Sequence, residues 1–201
     1  MDVNRDRYRA AVVEPFRTLL DRLTPVALKL NTRFVVSGRV GENFSRINRD
    51  IRFAADKSPY RPQMYLYFSE PAGGAQLYVG ISAEAVTCGF RAYRESKTSP
   101  LATIARERGR QHPEYIARMR LKLGRTFDSY WYKSEKGEWT KRFDWPLAPD
   151  DWKKLQGWIV RRKLPRSAAT HPSFARDIER IFRQVYPLYR FAAAPDWNFG
   201  R

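Results

Sequence analysis

Gln63-Met-Tyr-Leu-Tyr-Phe-Ser-Glu70 and Gln76-Leu-Tyr-Val-Gly-Ile-Ser-Ala83, joined by Pro71-Ala-Gly-Gly-Ala75, decide the fold class. In an extended chain successive side chains point to opposite faces. Met64, Leu66 and Phe68 therefore share one face of the first run, with Tyr65 and Tyr67 on the other. Leu77, Val79 and Ile81 repeat the pattern in the second run. Two alternating runs around Gly73-Gly74 predict a β-hairpin. The glycine pair precedes neither a helix nor a lysine, so it reads as a turn and not as a phosphate loop.

Outward from this hairpin, Val86 to Phe90 predicts another short strand, and Phe34 to Gly38 is a short β-prone run. Tyr130 to Lys133 and Glu138 to Phe143 predict a second hairpin around Lys136-Gly137. Helical spacing of Tyr8, Val12, Phe16, Leu19, Leu20 and Leu23 predicts a helix over residues 4–23, kinked at Pro15. Ser99-Pro100, His112-Pro113 and His171-Pro172 predict three further helix starts. Pro149-Asp-Asp151 predicts a short helix through Trp152, Leu155 and Ile159. Strands early and helices late indicate an α+β fold. The expected architecture is an antiparallel sheet of two hairpins plus a strand at 45–53, flanked by helices. Residues 1–201 are expected to form a single domain, with 127–145 as a basic-aromatic hairpin elaboration.

The chain carries a formal charge of +17, and its 43% hydrophobic and 14% aromatic content suffices for a core. No run approaches the roughly 20 apolar residues of a membrane span. The opening Met-Asp-Val-Asn-Arg-Asp-Arg is charged where the apolar part of a signal peptide would follow. One cysteine, Cys88, excludes an internal disulfide. The expectation is a basic cytoplasmic bacterial protein. A surface of this charge attracts polyanions, nucleic acid among them. The excess is spread along the chain, however, and arginine outnumbers lysine 28 to 10, as codon bias alone can produce.

Residues 45–60 read Ser-Arg-Ile-Asn-Arg-Asp-Ile-Arg-Phe-Ala-Ala-Asp-Lys-Ser-Pro-Tyr. As a strand over 45–53, this places Arg46, Asn48, Asp50 and Arg52 on one face and Ser45, Ile47, Arg49, Ile51 and Phe53 on the other. Asp56 to Pro59 then forms a turn. Arg46, Arg49, Arg52 and Lys57 around Asp50 make an anion receptor: guanidiniums grip phosphate or carboxylate bidentately, and a carboxylate between them orients their planes. Lys57 beside Tyr60 could supply a proton donor or a nucleophile. The competing reading is an ion-pair network that pins the segment.

The run Arg46-x-x-Arg49-Asp50-x-Arg52-Phe53-x-x-x-Lys57-x-Pro59-Tyr60 resembles the signature of a bacterial and fungal family of conserved hypothetical proteins. All eight specified positions in fifteen match. The resemblance extends to the Asn4-Arg-Asp-Arg-Tyr8 opening with Pro15, Ser37-Gly38, the Tyr78 strand, His112-Pro113-Glu114 and Arg161-Arg-Lys-Leu-Pro165. It implies a shared functional surface at the motif and brings no established activity. Similar proteins usually carry a further N-terminal segment, rich in Leu, Asn and Trp-Phe. The resemblance implies that any site residue from that segment is absent or replaced here.

Elsewhere the residue chemistry is less directive. His112 and His171 precede prolines and read as helix-start residues. Together with Cys88 they make no familiar zinc spacing, and no metal or cofactor is expected. Cys88 lies among apolar neighbours, as an inert thiol would. Asp50 and Asp56 could meet at a cation, but the surrounding arginines would repel it. Asp150-Asp151 reads as helix-start compensation. Phe127, Tyr130, Trp131, Tyr132, Trp139, Phe143 and Trp145 alternate with Lys133, Lys136, Lys141 and Arg142, which suits single-strand binding or a hairpin packed on the core. Three functions remain open. The first is a module that binds a phosphate- or carboxylate-bearing ligand, nucleic acid included, through Arg46, Arg49, Asp50, Arg52, Lys57 and Tyr60. The second is an enzyme on a small anionic substrate with Lys57, Tyr60 or Asp50 in proton transfer. The third is a purely structural network.

Overall fold

The computed structural model describes residues 4–49, 52, 57–71, 73–136 and 138–199. The elements, in chain order, are α1 (Arg5–Tyr8), a π-helical segment (Arg9–Val13), α2 (Glu14–Leu30), β1 (Gln63–Phe68), β2 (Ala75–Ser82) and β3 (Ala85–Tyr93). A second π segment (Leu101–Ala105) leads into α3 (Arg106–Gln111) and α4 (Pro113–Leu123). Then come β4 (Asp128–Glu135), β5 (Glu138–Arg142), α5 (Pro149–Lys154), β6 (Leu155–Pro165), a 3-10 turn (Arg166–Thr170) and α6 (Phe174–Ala193). The fold is α+β. Among the described residues six strands run in the order β1-β2-β3-β6-β4-β5, and every pairing between these strands is antiparallel.

The alternation read from the sequence sets the two faces. Leu66, Phe68, Leu77 and Val79 are fully buried on the inner face, joined by Val86, Cys88 and Phe90 of β3. There α6 packs on β2 and β3, and α2 packs on β1 and α6. The amphipathic face of α6 supplies Ile178, Ile181, Phe182, Val185, Leu188 and Tyr189 to this core. Trp152, Trp158, Trp145 and Phe191 meet edge-to-face under α5 and β6, with ring centroids 5.4–5.8 Å apart. Both fully buried indoles place their N–H: Trp152 donates to the Pro146 carbonyl at 2.8 Å, and Trp158 to the Ser129 hydroxyl at 3.1 Å.

Four expectations change. The helix predicted through Trp152, Leu155 and Ile159 ends at Lys154, and the next eleven residues are β6, which pairs with both β3 and β4. The spacing of those three residues imitates a helix, but Trp158 and Val160 alternate with Ile159 and Arg161 across the two faces, and partner strands on both sides satisfy the backbone. The N-terminal helix runs on to Leu30. Pro15 is the second residue of α2, directly after the π segment, whose wider turn suits a residue without an N–H. Phe34 to Gly38 forms no strand, and the predicted strand at 45–53 is reduced, among its described residues, to an isolated bridge at Asn48.

Candidate functional site

The motif arm grows from the edge of β1. Asn43, fully buried, joins it to the sheet: its side-chain amide donates to the carbonyls of Val35 at 2.7 Å and Tyr67 at 3.1 Å, and its side-chain oxygen accepts from the Gly38 N–H at 3.0 Å. Gly38 and Gly41 have φ of +70° and +90°, which lets the chain turn tightly there. Phe44 then bridges to Leu66, and Ser45 donates its N–H to Tyr65 at 3.0 Å. Farther out, Arg61 donates to Ile47 and Arg49 to Pro59, each at 2.9 Å. The pairing partner shifts from Leu66 at Phe44 to Tyr60 at Asn48, so the two stretches are not in simple register. Residues 44–49 thus form an irregular ladder beside 59–66, and no flat strand.

Between this arm and the N-terminal helix lies a cavity of about 240 Å³. Val12, Phe16, Phe44 and Met64 make its walls apolar, while Arg17 of α2 and Arg46 of the motif contribute the two cations. Both arginines are exposed, which sets their charge at the rim. None of the described lining residues is a carboxylate. Tyr8 also lines it, and burial raises its phenol above the ordinary value. An apolar recess with cations at its mouth can hold an anion and an attached apolar group.

The remaining motif residues separate. Asn48, Ser45 and Ile47 line the cavity beside Arg46, so the two faces expected of a strand are not kept apart. Arg49 is half-buried, whereas Arg52, Lys57 and Tyr60 are exposed. Arg49, Arg52 and Lys57 are each engaged by neighbouring groups. Asp50, Ile51, Phe53 and Asp56 fall outside the described residues, so the expected receptor centred on Asp50 does too. Arg17 escaped the sequence reading. Its only signal was a position off the apolar stripe of its helix, which it shares with several other arginines.

The other candidates resolve individually. Cys88 is fully buried, and burial pushes its thiol well above the usual range. His171 accepts the Ser173 N–H at 3.2 Å just before α6. His112 makes no side-chain cap to α4; its ring instead stacks on Phe199 with centroids 5.1 Å apart. Stretch 127–145 divides between faces: Phe127, Trp131 and Trp145 enter the core, while Tyr130, Tyr132, Lys141 and Phe143 meet on the far side of the sheet. Among the described residues no helix is long and apolar enough to cross a membrane. A family model described as conserved hypothetical protein (DUF2461) matches residues 1–191. No curated protein matches the chain.

Proposed function

The chain belongs to the DUF2461 family of conserved hypothetical proteins, and from that premise we propose that it binds a small phosphate- or carboxylate-bearing ligand at the Arg46 rim, with the ligand's apolar end in the cavity behind. The observation that carries this reading is that Arg46 and Arg17, both exposed, line one recess that no described carboxylate lines. Two guanidiniums can share one anion, and the apolar walls reward a tail or ring that leaves water. At about 240 Å³ the space is smaller than the roughly 300–1,000 Å³ that encloses a whole drug-sized ligand. It suits a short alkyl chain or one ring.

Binding is favoured over proton transfer by the placement of Lys57 and Tyr60. Both are exposed and neither lines the cavity, so neither is held where water is excluded from a reacting group. Calorimetric titration with octyl phosphate, inorganic phosphate and octanol tests the reading. Octyl phosphate should bind, inorganic phosphate more weakly and octanol weakest. Equal heats for Arg46→Gln and the parent protein would remove the site.

A further inference from the structure

The sheet face opposite the helices is paved with tyrosines. Tyr65, Tyr67, Tyr78, Tyr93, Tyr130 and Tyr132 form a cluster there with Ile159, made of strand residues alone. Cross-strand register sets this face in rows: Tyr67, Tyr78, Gly89 and Arg161 in one, Gln76, Arg91, Ile159 and Tyr130 in the next, and Tyr93, Gly157, Tyr132 and Lys141 in the third. Gly80 and Gly157 leave room for the rings. A Cβ at Gly80 would come within 2.7 Å of the Tyr65 ring, and one at Gly157 within 2.9 Å of the Tyr93 ring.

Three cations are laid on these rings. The Arg91 guanidinium is 4.8 Å from the centroids of Tyr65 and Tyr78, and Arg161 is 4.9 Å from Tyr130. The Lys141 ammonium is 4.6 Å from Tyr130 and 4.8 Å from Phe143. Among the described residues, none of the three forms an ion pair. Arg161 has Asp128 as its register partner on β4, yet its buried Nε has no hydrogen-bond partner among the described residues. Tyr78 and Tyr130 are buried and form a floor, whereas Phe143 and Trp139 at the β5 margin are 79% and 68% exposed. Register places Trp139 on the same side of β5 as Lys141.

We propose that this face binds single-stranded nucleic acid, with phosphates against Arg91, Arg161 and Lys141 and bases stacked on Phe143, Trp139 and the half-buried tyrosines. A polyanion supplies the charge these cations lack, whereas a basic surface such as a second copy of this +17 chain would bury that charge uncompensated. The rings select a single strand, whose base faces are open, over a duplex, whose base faces are hidden. The face lies across the sheet from the apolar wall formed by Phe44 and Met64, so it stands independently of the Arg46 cavity.

Fluorescence anisotropy with a labelled oligothymidylate on the full chain tests this, using Lys141→Glu/Phe143→Ala, two exposed-margin changes, and Arg46→Glu as a control. The parent should bind at low salt, and the double variant about tenfold more weakly. The log-log salt slope should fall by roughly one for each phosphate contact removed. Arg46→Glu should keep most of the affinity. No binding at about 50 mM salt overturns the proposal, as does undiminished binding by the double variant. Loss confined to Arg46→Glu assigns the strand to the motif instead. If the double variant abolishes a concentration-dependent dimer seen by sedimentation, the face joins two copies of the chain and the proposal fails.

Discussion

Asn43 and Tyr67 bind each other reciprocally: the Tyr67 N–H donates to the Asn43 carbonyl at 2.9 Å, and the Asn43 side-chain amide donates to the Tyr67 carbonyl at 3.1 Å. With the Val35 and Gly38 bonds, one fully buried side chain holds together the loop, the arm and the edge of the sheet. The Arg46 rim is placed by this clip, since Arg46 follows only three residues later.

Asn43→Ala should therefore destabilise the fold by about 3 kcal/mol, because it removes the side-chain hydrogen bonds to Val35, Tyr67 and Gly38 and leaves buried partners unsatisfied. Chemical denaturation measures this. Octyl phosphate binding should fall with it even where the chain remains folded. A loss under about 0.5 kcal/mol would mean that water satisfies the freed groups.

Gly109 of α3 sets two magnitudes against each other. On an exposed helix face, Gly→Ala stabilises by about 1 kcal/mol. Here a Cβ would overlap the indole of fully buried Trp152. Overpacking of this kind costs about 1–3 kcal/mol, so Gly109→Ala should lower the melting temperature. A rise would show that Trp152 can move aside.

The strand that carries Trp158 marks the limit of reading sequence alone. Alternation in 63–82 identifies β1 and β2 because aliphatic and Phe side chains on one face alternate with tyrosine, glutamine and glycine on the other. β6 follows directly on a short helix, and Trp152, Leu155 and Ile159 fall at helical spacing, so its alternation was masked. Only the partners β3 and β4, distant in sequence, decide it. The site divides in the same way. Arg46 was identifiable from its motif, but its company with Arg17, Phe16 and Met64 arises from packing across the chain. The tyrosine rows need the register of the six described strands, although alternation alone sets Tyr65 and Tyr67 on the face opposite Met64, Leu66 and Phe68.

Glu135 provides a pH prediction. Hydrogen bonds from Lys154 and Lys133 hold its carboxyl at about 2, against an ordinary value of 4.5. These contacts tie the end of β4 to the end of α5. A depressed carboxylate stabilises the fold above its unfolded-state value and loses that contribution as pH falls towards 2. Glu135 is exposed, so the effect is modest. Glu135→Gln should flatten the acid limb of a melting curve series, and Lys154→Ala should move the carboxyl's NMR titration midpoint upward. An unchanged midpoint would contradict the contact.

Tyr93 tests the tyrosine face in the opposite pH direction. Burial is the main cause that pushes its phenol up to about 12. A raised phenol favours the protonated folded state, so its contribution is present below the ordinary value of 10.0 and disappears as pH rises through 12. Tyr93→Phe should remove one late-ionising tyrosine from an ultraviolet titration. Loss of an early-ionising one would place Tyr93 in water.

The most direct measurement is a methyl and guanidinium NMR titration of the full chain with octyl phosphate. The account predicts that the Met64 methyl and the Arg17 and Arg46 side-chain signals shift together along one saturating curve. Arg46→Gln should weaken that curve about tenfold, in line with the loss of one charge-assisted contact, and leave the folded spectrum intact. Shifts that spare Met64 and Arg17, or a curve unchanged by Arg46→Gln, would contradict it.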